Sequence, residues 1–268
     1  MMLITFLTGA LYSFTGIVAG LMSGMIGIGG GIIIVPALLF IFQYIGKMPA
    51  DLAIHLATGT SLAIILFISQ ATVRAHYRQG TILWSAFLKL APGIFMGAFV
   101  GVLLSNYLPV IWLERILAFF LLLIAIERIF NFKLSQPTPH YPPTALNILI
   151  SFFIGLISGL LGIGGGVLII PYLSYCGLNI KKITPIAALC IMTAAIVGTI
   201  MFIVIGFSEA ALPAYSTGYV YWPAVLCVAL PSIFSAFWGA KLTYLLSQKH
   251  LEYVFIVILL ITSIQLAL

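Results

Sequence analysis

The chain has 268 residues, of which 63% are hydrophobic and 6% charged, with a formal net charge of +6. Soluble globular domains run near 25% charged residues, so eleven Lys and Arg with five Asp and Glu cannot cover a soluble fold of this size. Apolar surface in such excess also excludes a disordered chain. The basic residues are too scattered to form a nucleic-acid-binding face. The bilayer is the solvent.

A helix needs about 20 apolar residues to cross about 30 Å of hydrocarbon. The apolar runs here are continuous rather than alternating, which points to helices and away from a β-barrel. Taken in chain order, the predicted segments are 3–26, 31–45, 52–72, 82–104 and 111–131, then 145–161, 166–177, 184–205, 220–246 and 251–268. The first of these has no preceding Lys or Arg and no small-residue cleavage site, so it reads as a membrane segment rather than a removed signal. Between the two groups lies a stretch with four prolines, which reads as a linker. The organisation is therefore a first repeat (1–131), a proline-rich linker (132–144) and a second repeat (145–268). Cys176, Cys190 and Cys227 all lie in apolar segments and match no metal spacing, so they read as packing residues, and no cofactor is expected.

The two halves repeat one another. Residues 20–36 read GLMSGMIGIGGGIIIVP and residues 155–171 read GLISGLLGIGGGVLIIP, with eleven of seventeen positions identical at an offset of 135. Ala53 and Thr58 match Ala188 and Thr193 at the same offset. Internal repeats of this kind mark secondary transporters. Lys and Arg favour the cytoplasmic side, and their distribution sets the relative orientation of the repeats. With an odd number of crossings per half, nine fall inside and only Lys47 and Arg115 outside; with an even number the split is five against six. The expected fold is an all-α integral membrane protein of two inverted repeats, each a Gly-interrupted hairpin plus three transmembrane helices, in the inner (plasma) membrane.

The segments after each GIGGG are short, and each carries a proline in its second turn, Pro36 and Pro171. Short, Gly/Pro-interrupted apolar segments at matching positions of two halves point to a transport site. Consecutive glycines permit positive φ and close approach, and a helix starting just after them aims unpaired N–H groups and its positive dipole end at the turn. That makes a backbone anion site, built from Gly27, Gly29, Gly30 and Gly31 in the first half and Gly162, Gly164, Gly165 and Gly166 in the second. The outer pairs, Gly20 with Gly24 and Gly155 with Gly159, read instead as helix-packing glycines. Candidate hydroxyls are Thr58, Ser61 and Thr193, with Ser23 and its repeat partner Ser158. His55, an ionisable group about one turn inside the start of its span, and Gln70 join Pro36 and Pro171 as candidates for gating or coupling. Asp51, Glu114, Glu127, Glu209 and Glu252 fall at segment ends or in loops, so the coupling proton or ion, like the oligomeric state, is left open. The expected partners are a small anionic substrate and the lipid bilayer.

With the paired G-L-x-S-G-x-x-G-I-G-G-G-x-x-x-x-P motif in view, the chain resembles the sulfite exporter TauE/SafE family of membrane permeases. The resemblance covers nearly the whole chain, including ATGTS at 57–61 and GAKL at 239–242. It implies outward movement of sulfur-containing anions such as sulfite, sulfoacetate and other organosulfonates. Members of that family are described with seven or eight helices. The second half has CIMTAAI where the first has its ATGTS stretch, so the two half-sites are expected to be unequal. The expected activity is alternating-access transport around a midplane site; the alternative is an anion channel using the same glycine turns as a filter. An enzyme is not expected, since there is no HExxH and Ser158 lacks a nearby counterpart to His55.

Overall fold

A computed structural model of the chain describes residues 2–26, 30–130, 143–178 and 180–242, together with 256, 257, 259, 260 and 262–264. The first half comprises α1 (Met2–Ile26), α2 (Gly31–Phe40), α3 (Ala50–Arg78), α4 (Trp84–Tyr107) and α5 (Val110–Phe130). A π-helical turn, Ile41–Ile45, continues α2, and its Gln43 amide donates to the Glu114 carboxylate on α5 at 3.1 Å. The second half comprises α6 (Thr144–Leu161), α7 (Gly166–Tyr175), α8 (Ile180–Gly206) and α9 (Trp222–Leu242), followed by helical residues within 256–264. Between α8 and α9 lies a two-stranded antiparallel hairpin, β1 (Ser216–Thr217) and β2 (Val220–Tyr221), which the helical reading of the sequence lacked. Most of the 132–144 stretch lies outside the described residues.

Among the described residues, six helices are long and apolar enough to cross a membrane: α1, α3, α4, α6, α8 and α9. The chain is a multi-pass membrane protein. The first arm of each glycine hairpin is thus as long as a span, 25 residues in α1 and 18 in α6. Only the second arms, α2 and α7, are short, at ten residues each before the π turn that lengthens α2.

Three helix pairs organise the bundle: α1 on α9, α4 on α6, and α3 on α8. Glycine makes the first two. Gly16, Gly20 and Gly24 of α1 lie against Val228, Ser232 and Ala236 of α9, and Gly93, Gly97 and Gly101 of α4 lie against Ile148, Phe152 and Leu156 of α6. Both sets of partners rise together in number, so each pair is parallel. In each, a Cβ on the glycine would strike partner backbone, which is the close approach that small residues give in a membrane, where no hydrophobic force drives helices together. The central pair runs the other way. Gly59, Leu62 and Ile65 of α3 meet Phe202, Gly198 and then Ala195 with Ile191 of α8, so these helices cross antiparallel. Outward-facing Phe14, Phe95, Phe153, Phe234 and Trp238 are exposed, as lipid contact demands, whereas α3 is largely buried from Leu52 to Ile65.

The seams predict a graded response to one methyl group. Gly97→Ala should destabilise the protein by about 1–3 kcal/mol, the usual range for overpacking, because its Cβ would collide with the Phe152 carbonyl. Gly9→Ala, where a Cβ meets nothing within 4 Å, should leave the thermal midpoint in detergent unchanged.

Candidate functional site

The glycine turns meet in the middle of the bundle. Gly30 and Gly165 immediately precede α2 and α7, and both have φ of +72°. Gly162 (φ +72°) ends α6 and Gly164 (φ +79°) follows it, backbone that side-chain-bearing residues adopt only at a cost of about 1–2 kcal/mol. The helices start at Gly31 and Gly166, as the spacing predicts, with no side-chain oxygen capping either start among the described residues. The carbonyl of Gly30 accepts from Ile33 and Ile34, and that of Gly165 from Leu168 and Ile169. The N–H groups at the very start of each helix have no intrahelical acceptor and point into the turn. A Cβ on Gly31 would stand 2.5 Å from the Ile163 carbonyl oxygen, so the start of α2 lies directly against the second turn. Gly164 in turn packs between Ile65 of α3 and Ile191 of α8. Gly27 and Gly29 lie outside the described residues.

The hydroxyls divide into structural and unpartnered ones. Ser61 donates to the Gly162 carbonyl at 2.9 Å, and Thr58 packs against Gly162, tying α3 to the second turn. Thr193 donates to the Leu189 carbonyl one turn back at 2.9 Å. Ser158 is different. It is 1% exposed and its Oγ has no hydrogen-bond partner, a state that costs free energy in a buried hydroxyl. It lines a narrow crevice with Gly164, Gly165 and Cys190 that is too tight to admit a water molecule. Ser23, its repeat partner, lines a wider chamber of about 290 Å³ between α1, α3, α8 and α9. The two half-sites are unequal in shape as well as in wording.

His55 is half-buried on α3, with Nδ1 2.7 Å from the Asp51 carbonyl and Nε2 3.1 Å from the Ser105 carbonyl. Its ring lies 5.2 Å from that of Tyr219 at the tip of the hairpin. The hairpin itself is wedged against α3 and α8: Tyr221 N–H donates to Thr60 Oγ1 at 3.0 Å, and Tyr219 N–H to the Phe202 carbonyl at 3.1 Å. Gly59, Gly206 and Gly218 admit it, since a Cβ on any of them would collide with backbone across this junction. Burial pushes the Tyr219 phenol above its ordinary pKa and the Glu209 carboxylate raises it further, so the tip stays neutral. Sequence reasoning missed the hairpin, although alternating aromatic residues around Thr217-Gly218 in YSTGYVY carry a strand-and-turn signal. Gln70 is exposed and does not line the chamber, whereas its neighbour Ser69 does. Pro36 and Pro171 lie inside α2 and α7, Pro36 buried and Pro171 half-buried.

Two short helices, α2 and α7, thus begin just after glycine turns inside a bundle of membrane-crossing helices. The sulfite exporter TauE/SafE family model matches residues 12–266, and the chain belongs to that family. A probable membrane transporter protein of Haemophilus influenzae is 33% identical over 253 residues, 94% of this chain and 96% of that protein. One from Methanocaldococcus jannaschii is 30% identical over 238 residues, covering 88% of this chain and 87% of its own length. The probable membrane transporter protein YunE of Bacillus subtilis is 26% identical over 274 residues, with 94% of each chain covered. No solved structure matches the chain.

The two serines should separate cleanly in stability. Ser61→Ala leaves the Gly162 carbonyl unpaired and should cost about 1–3 kcal/mol, read as a lower unfolding midpoint in detergent. Ser158→Ala removes a hydroxyl with no partner, so the midpoint should hold or rise.

Proposed function

We propose that the chain is a secondary transporter, working outward across the inner (plasma) membrane, for a small sulfur-containing anion such as sulfite or an organosulfonate. The observation that carries this reading is the start of one short helix, Gly31, set against the Ile163 carbonyl in the turn that precedes the other short helix at Gly166, with both turns held between the middles of α3 and α8. Two positive dipole ends and their free N–H groups suit the clustered oxygens of a sulfite or sulfonate group. A backbone site also fits a chain in which no described carboxylate, Lys or Arg lines the turns. Gly30, Gly31, Gly162, Gly164, Gly165 and Gly166 supply the site in this reading, extended by Gly27 and Gly29. Ser158 supplies the hydroxyl at the second turn once the crevice that excludes water in this structure opens during transport, and Ser61, Thr58 and Thr193 hold the surrounding backbone.

The same reading takes the halves as inverted repeats. α3 and α8 are corresponding helices, and their antiparallel crossing is what a two-fold axis in the membrane plane requires. The parallel pairs α1–α9 and α4–α6 fit the same axis, since each joins the first helix of one half to the fourth of the other. Alternating access then moves one bundle against the other, with His55, Pro36 and Pro171 at the mobile junctions. A proton or other ion couples the flux.

Two experiments test this. In proteoliposomes, sulfite should accumulate against its gradient and lose that accumulation on adding an uncoupler; an ohmic sulfite current in planar bilayers would favour a channel instead. Gly165→Val should weaken sulfite binding by calorimetry by roughly tenfold or more, a loss of about 1.4 kcal/mol. Gly165→Asn, which tolerates the left-handed conformation, should retain more of it. For topology, single cysteines at Gln79 and Glu209 should label from opposite faces of the membrane, and labelling from one face would overturn the inverted arrangement.

A further inference from the structure

The chamber of about 290 Å³ is close to the lower end of small-molecule sites, which run from about 300 Å³. It lies beside the glycine turns rather than within them. At its inner end stand Ile65 and Ile191, the two side chains that clamp Gly164. From there a stripe on α3, Ser69, Thr72 and His76, runs outward along one helix face at the three- and four-residue spacing that brings side chains into line. Ser23 faces the chamber from α1, one turn before the first glycine motif. Among the described residues, no carboxylate lines it.

The end of the helix pair near His76 carries three described cations, on helix faces that turn away from the chamber. The exposed Arg74 and Arg78 lie on the last turns of α3, and the antiparallel crossing brings the exposed Lys182, near the start of α8, to the same end of the pair. The described carboxylates stand elsewhere: Asp51 and Glu209 at the opposite ends of these helices, Glu114 and Glu127 on α5. At that opposite end the hairpin closes the junction of α3 and α8. Tyr219 and Tyr221 are hydrogen-bonded to Phe202 and Thr60, and Gly59 is pressed against the Tyr219 carbonyl. The space beside the turns is therefore one-sided, lined by hydroxyls and an imidazole toward the membrane face that carries these cations, with the hairpin packed over the far end of the pair.

We propose that this chamber is the admission site for the transported anion. It takes one small oxyanion from the face that carries Arg74, Arg78 and Lys182, holds it among Ser23, Ser69, Thr72 and His76, and delivers it past Ile65 and Ile191 to the glycine turns. The wedged hairpin keeps the other face shut meanwhile. The proposal rests on the transport reading above and adds to it the side, the residues and the closed gate. Cations on that membrane face raise the local concentration of anions near it, and hydroxyl and imidazole groups in the chamber hold them without the tight grip of a buried cation.

The test uses the full-length protein with Cys176, Cys190 and Cys227 replaced by Ala, confirmed to transport sulfite and to run as one species in detergent. Ser69→Cys and Thr72→Cys are added singly and treated with a membrane-impermeant methanethiosulfonate in vesicles of each orientation, with and without sulfite. Both cysteines should react from the Arg74 face, resist reaction from the other, and react severalfold more slowly when sulfite is present. Failure of both to react from the Arg74 face, or equal reaction from both faces, would overturn the one-sided chamber even in a protein that transports sulfite. Reaction that sulfite does not slow, in vesicles that transport sulfite, would overturn the anion assignment. Absence of sulfite flux in the parent would overturn the transport reading and that assignment together, while the labelling still decides the one-sided opening.

Discussion

The arrangement depends on one contact, the start of α2 at Gly31 against the carbonyl of Ile163 in the other half's turn. It is backbone on backbone, and any Cβ would part it. Because the contact lies between the middles of α3 and α8, the chain breaks two helices where hydrocarbon offers no water to satisfy the freed groups. Such backbone is tolerated in a membrane only when enclosed by protein or lining a wet cavity. Here the protein does most of the enclosing: Ser61 caps the Gly162 carbonyl, Thr58 covers Gly162, and Ile65 and Ile191 close over Gly164.

That requirement explains the rest of the bundle. To shield a mid-membrane break from both sides, α3 and α8 must be long and buried, and they are the longest helices described. The outer helices then pack as two glycine seams that bring α1 to α9 and α6 to α4, so each half is clasped by the other. The packing is unequal around the two turns. Ser158 sits in a crevice closed to water while Ser23 opens on a chamber, and the wedged hairpin lies on the far side.

Much of this was legible in the chain itself. The ten apolar segments match the helices within a few residues at nearly every described boundary, because bilayer thickness imposes a length that hydropathy reports directly. The starts of α2 and α7 were legible too, since consecutive glycines have no other economical place than a helix break. The packing role of Gly20 and Gly24 followed from spacing, and the fold gives them α9 as partner. Other features were not legible. Gln70 read as a gating or coupling candidate near the inner end of its span, but a shift of one position turns a helical side chain by about 100°, and it is Ser69 that faces the chamber. The hairpin was hidden because two residues per strand are too few for a periodic signal, and its anchors, Gly59 and Thr60, lie some 160 positions away.

The sequence alone determined the solvent, the helix lengths, the duplicated glycine breaks and the near-absence of buried charge. Each of these is a local matter of composition or spacing, governed by the cost of placing a given residue in hydrocarbon. Only the tertiary structure decided that the two breaks touch, that α3 crosses α8 antiparallel, that Ser158 is left without a partner and Ser23 faces a chamber, and that a small hairpin seals one end. Those depend on which backbone surfaces come within contact distance. Such distances are set by the packing of residues far apart in the chain, which periodicity within a segment does not record.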